Sequence, residues 1–120
     1  MWKRIASRYP VWYEPRPLAH FRVHDATVSH QLQRSGAHIA DTRKAIEISR
    51  AYLPPPHCDI LTTRAYRNYA RYALQDARRY MTAGEAQAAL ANLHEAMACS
   101  QAPEIQSELV ALLTEWKNLK

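Results

Sequence analysis

A mainly α-helical fold, a helical bundle or hairpin with a short β ribbon near the N-terminus, is what this sequence predicts, on three observations. Seven prolines stand against two glycines, a balance that suits helices with hard stops better than tight hairpins, which draw on glycine for positive φ. From Asp59 onward apolar residues recur at helical spacing in long runs. Strand-like residues cluster only between Pro10 and Ser29.

Taken in order, MWKRIASRY places Trp2, Ile5 and Tyr9 at i, i+3 and i+7, an amphipathic helix that must stop at Pro10. Val11-Trp12-Tyr13 and Leu18 to Val23, separated by the Pro15-Arg16-Pro17 turn, read as two extended segments of a small ribbon. After Ser29 the pattern is helical, with Gly36 as a weak break and Ile39, Ile46 and Leu53 recurring until Pro54-Pro55-Pro56 ends it. That triple proline divides a mixed segment, residues 1–55, from a helical extension, residues 56–120.

Asp59 is the expected N-cap of a long helix reaching Thr82, closed by Ala83-Gly84. Ala86, Leu90, Leu93 and Met97 then mark the apolar stripe of the next helix, and Pro103 opens a last one carrying Ile105, Leu109, Leu112 and Trp116. Short connections make these helices antiparallel neighbours. GEAQAALANLHEAM, residues 84–97, also resembles the second helix of a tetratricopeptide repeat, with Ala89, Leu93 and Ala96 at the packing positions. The chain holds no second copy at the repeat's period of about 34 residues, so a generic helical hairpin is the plainer reading.

A chain of 120 residues is one domain or a piece of a larger protein, and its 48% hydrophobic residues suffice for a core. The net charge of +5 points to acidic surfaces as partners: anionic lipid head groups, phosphates or nucleic acid. Cys58 and Cys99 stand alone, without the spacing of a zinc site or a disulfide framework. Ser7, Arg8 and Pro10 break any apolar run at the start, so the expected location is cytoplasmic, at most peripheral to the inner face of the membrane.

The stretch PLAHFRVHDATVS, residues 17–29, places His20, Arg22 and His24 two apart, on one face of an extended strand, with Asp25 directly after them. A two-histidine zinc site with Asp25 lacks a fourth ligand. A surface strand with a hydrogen-bonded histidine explains the same residues.

MWKRIASRYPVWYEP, PLAHFRVHDATVS and the helix around GAHIADTRKAIE together resemble, in order and spacing, the C-terminal part of bacterial family 2 glycosyltransferases, nucleotide-sugar-dependent enzymes of the GT-A type. The resemblance covers Met1 to about Leu53. It implies that His24 contributes to a divalent ion, Mn²⁺ or Mg²⁺, which neutralises the leaving diphosphate. It also implies that Arg22 contacts substrate phosphate and that Trp2 sits where the acceptor docks. For Trp2, a core position in an amphipathic helix is an equal reading. The family's nucleotide-binding half, with its Asp-x-Asp motif, is not in this sequence, and neither is the acidic pair expected just before Met1.

The resulting expectation is a C-terminal fragment of a glycosyltransferase that transfers a sugar to a polysaccharide or lipid-linked acceptor in the intact enzyme. Its partner would be the missing nucleotide-binding domain. The isolated chain would be catalytically inactive, would bind no cofactor and would form a homodimer through its uncovered apolar surface. The rival is a non-enzymatic, tetratricopeptide-like interaction module with a basic face. No Ser-His-Asp set, glycine-rich phosphate loop or pair of catalytic carboxylates can be assembled from these residues. Arg64, Arg67, Arg71 and Arg78 form a stripe on the long helix, away from Tyr66, Tyr69, Ala73, Ala77 and Tyr80. That stripe suits an anionic membrane surface or a lipid-linked phosphate; nucleic acid is not expected, because the aromatics face away from the charge. A solvated face, with Asp76 and nearby acids as partial partners, is the plainer reading of the stripe.

Overall fold

The computed structural model describes residues 2–20 and 27–118. The chain is mainly helical, with α1 (Trp2–Ala6), α2 (Val28–Arg34), α3 (Ala37–Arg50), α4 (Cys58–Thr82), α5 (Ala86–Cys99) and α6 (Pro103–Asn118). The first helix ends earlier than its apolar pattern, in a turn where Arg8 and Tyr9 both donate to the Ile5 carbonyl.

Residues 10–20 run as irregular chain, and no strand occurs among the described residues. The expected ribbon is therefore not formed there. Pro10, Pro15 and Pro17 remove backbone donors from this stretch. Arg16 turns back instead on Glu14, its backbone N and Nε donating to Oε1 at 3.1 and 2.9 Å.

Thr27 caps α2, its Oγ1 accepting from the His30 amide at 3.2 Å. Gly36, at φ 72°, then breaks the helix into α2 and α3. Its missing side chain also allows close approach to α5: a Cβ there would stand 3.0 Å from Glu95 Cγ and 3.1 Å from the Ala91 carbonyl oxygen. Gly84 has a similar φ of 75° with open space around it. Gly36→Ala will therefore cost more than Gly84→Ala, which carries only the left-handed penalty of about 1 kcal/mol. Urea denaturation of the two variants measures the difference, and equal midpoints would contradict the close approach.

The triple proline ends the α3 region and feeds a 3₁₀ turn over Pro55–His57. Helix α4 starts at Cys58, so Asp59 lies inside the first turn rather than at the cap. Its carboxylate instead takes Arg50 Nη2 at 2.9 Å, because the preceding turn already brings the chain in helically. At the other end Glu85 N donates to Tyr80 O at 2.8 Å and Gly84 N to Met81 O at 3.1 Å, the paired bonds of a Schellman stop.

Helices α4 and α5 form the central hairpin, and its seam is made of small residues: Ala70, Ala73 and Ala77 against Ala88, Ala89 and Ala96, all at most 6% exposed. The apolar stripe expected on α5 is displaced. Leu90 is 49% exposed, while Ala89, Leu93 and Ala96 are buried. Side chains of alanine size let the two helix axes come close, so the seam selects small residues over large ones. Ile39 of α3 and Ile105 of α6, both fully buried, join the same core from opposite sides, and Leu109 and Trp116 pack on it as their spacing predicts.

Candidate functional site

Two surfaces carry the functional interest, the N-terminal arm and the charged face of α4. A polar seam between α3, α4 and α5 lies beneath. Of the site residues expected from sequence, Arg22 and His24, with Asp25, lie outside the described residues. The backbone of Trp2 lies in α1, while its side chain lies outside the described part. His20 is exposed at the end of the arm. No three His, Cys, Asp or Glu side chains among the described residues gather to hold a metal ion.

The arm is apolar and uncovered. Tyr9, Val11, Trp12, Tyr13 and Leu18 are 65–87% exposed. Large side chains left this open in one continuous stretch are unusual on a soluble monomer, where such patches mark a surface that meets a partner.

On α4 the arginine stripe is real, but most of it is paired, and with α6 rather than with Asp76. Arg67 Nε lies 3.3 Å from Glu104 Oε1, Arg71 Nε 2.9 Å from Glu108 Oε1, and Arg78 Nη2 3.0 Å from Glu115 Oε1. Each rung joins residues 37 apart, a constant step that requires α4 and α6 to run parallel. The sequence held a signal for this: Arg67, Arg71 and Arg78 are spaced as Glu104, Glu108 and Glu115 are. Half-exposed pairs such as these contribute at most about 1 kcal/mol each, so the ladder sets register more than stability. Arg64 has no ion-pair partner among the described residues, and it lines an open cleft of about 720 Å³ with Arg67 and Arg71.

Asp76, expected to serve that face, is nearly buried on the other side. Its Oδ2 lies 3.2 Å from His38 Nε2 and its Oδ1 3.2 Å from Arg79 Nη2. The His38 ring meets Tyr72 edge-on at 5.9 Å, and Nδ1 lies 3.2 Å from the Leu32 carbonyl oxygen. Nearby, Arg43 grips Glu95 at 2.9 Å and the Tyr66 hydroxyl donates to Glu47. Sequence reasoning missed this seam because its partners come from three helices at unrelated separations.

Burial pushes the Cys99 thiol up to about 11. Burial, and then the bond to Glu47, raise the Tyr66 phenol to about 12. Both groups are thereby held neutral by the fold. The unfolded chain gives up these protons at lower pH, so their contribution to stability is complete below about pH 9 and declines as pH rises toward 11 and 12. Thermal midpoints should fall above about pH 9 and fall less steeply in Cys99→Ala. At pH 8, iodoacetamide should modify Cys58, which is partly exposed, well before Cys99. Equal alkylation rates would contradict the burial of Cys99.

No helix among the described residues is long and apolar enough to cross a membrane. Comparisons with protein-family models, with curated proteins and with solved structures give no match to this chain.

Proposed function

We propose that this chain is the C-terminal part of a nucleotide-sugar-dependent glycosyltransferase of the GT-A type. In the intact enzyme it transfers a sugar to a polysaccharide or lipid-linked acceptor. The observation that carries the reading is the uncovered arm: residues 9–18 expose Trp12 at 87% and Tyr13 at 80%, as expected of a segment that packs against a nucleotide-binding half. The three sequence pieces that resemble the family run through and around that arm.

In this reading Trp2 lines the acceptor site, Arg22 meets substrate phosphate, and a carboxylate outside this chain takes the proton of the acceptor hydroxyl. A divalent ion belongs to the intact enzyme, with His24 as this chain's contribution. Helices α2 to α6 form the packed helical part of the chain that follows the arm. Alone, the chain turns over no nucleotide sugar and self-associates through the arm.

A second reading, the helical interaction module, draws on a different observation. Ala77-x-x-Tyr80 on α4 and Ala89-x-x-x-Leu93 on α5 occupy positions like the G-x-x-Y and A-x-x-x-F of a tetratricopeptide repeat. The 37-residue step between α4 and α6 is also close to that repeat's period of about 34.

The test is nucleotide-sugar turnover by the protein expressed from the continuous reading frame that contains this chain. Turnover there, with none from the 120-residue chain, is the expected result. A frame without an Asp-x-Asp segment, yielding an inactive protein, would remove the enzyme reading and leave the module.

A further inference from the structure

Arg64, Arg67 and Arg71 stand at i, i+3 and i+7 on α4, so the three guanidinium groups share one face. They line an open cleft of about 720 Å³ whose other polar walls include Thr63 and Asn68. The two carboxylates that also line it are already engaged, Asp59 by Arg50 at 2.9 Å and Glu104 by Arg67 at 3.3 Å. In the pairs of Arg67 and Arg71 the contacted atom is Nε. Since a guanidinium carries five N–H donors, one of them on Nε, the Nη ends remain to serve a ligand.

Within the stripe, Arg64 is the arginine without an ion-pair partner among the described residues. A step of 37 from Arg67, Arg71 and Arg78 reaches a glutamate each time, whereas the same step from Arg64 reaches Gln101, neutral and ahead of the start of α6. The ladder is open at the rung where the cleft lies.

The geometry points to a phosphate-binding site in this cleft, taking a phosphomonoester or diphosphate group with Arg64 as its principal contact. Arginine is suited to the task because its planar fork grips two phosphate oxygens at once, while Asn68 and Thr63 add neutral donors. A carboxylate ligand would compete poorly, since it offers fewer oxygens to the guanidinium groups that line the cleft. The site stands on α4 and α6 alone and does not depend on the glycosyltransferase reading. A lipid headgroup and a soluble phosphate compound present the same group, and the test distinguishes the two sources.

The test titrates the 120-residue chain with inorganic pyrophosphate, following the arginine Nε–H signals by NMR. In parallel, the chain is sedimented with phosphatidylcholine vesicles with and without phosphatidic acid. Saturable shifts at Arg64 and Arg67, or binding only to vesicles containing phosphatidic acid, are expected, weakening with salt. The first result assigns a soluble source and the second a headgroup. Arg64→Gln should lower affinity by about tenfold or more with helicity unchanged, because Arg64 supports no ion pair among the described residues. Arg78→Gln, outside the cleft, should leave affinity as it is. Binding in neither assay, or equal loss in Arg64→Gln and Arg78→Gln, would overturn the site.

Discussion

Ile39→Ala and Ile105→Ala will each lower the stability of the chain by roughly 2–5 kcal/mol, the range for deleting a fully buried large aliphatic side chain. Both residues are 0% exposed, and they enter one core from helices on opposite sides of the α4–α5 hairpin. Each truncation leaves a cavity that the alanine seam cannot close, because its side chains have no freedom to reach across. Urea denaturation followed by circular dichroism should show a single transition in both variants, moved to lower midpoint. Were α3 only loosely attached, Ile39→Ala would leave the main transition in place, and the shared core would be refuted.

The second large effect is expected from adding volume. Ala89→Leu places extra carbons at a position that is 0% exposed, directly in the α4–α5 seam. Overpacking of this kind costs about 1–3 kcal/mol and at times more, and here the helices would have to part along their length. Its neighbour is the control: Leu90 is 49% exposed, so Leu90→Ala should change stability by no more than about 0.5 kcal/mol. Reversal of that order, with Leu90→Ala the worse of the two, would restore the apolar stripe that sequence periodicity assigned to α5.

That contrast shows where the sequence was readable. Gly36, the triple proline, Gly84 and Pro103 punctuate the chain as their backbone chemistry dictates, so the helices from α2 onward were legible within a few residues. The face of α5 was not, because hydropathy ranks Leu90 above Ala89 while close helix packing ranks them the other way. The resemblance of Ala89, Leu93 and Ala96 to repeat packing positions identified the buried face better, since it encodes proximity rather than hydrophobicity.

Among the described residues 10–20 the ribbon is not formed, for a different reason. Alternating residues describe a strand only when a partner supplies its ladder, and Glu14 with Arg16 closes a local turn instead. Of the candidate site, the arginine stripe was legible as a stripe. Its neutralisation along α6 required matching two spacing patterns across a helix that separates them, and of the four arginines Arg64 is left without an ion pair among the described residues.

The claim that the arm is a surface made to be covered is tested most directly by acrylamide quenching of Trp12, with Trp2 and Trp116 replaced by phenylalanine. The 120-residue chain is compared at low concentration with the longer protein that the proposed function requires, expressed from the continuous reading frame. The account predicts free quenching in the dilute chain, where Trp12 is 87% exposed, and strong shielding in the longer protein. Equal quenching in the two, with the longer protein folded and monomeric, would contradict it.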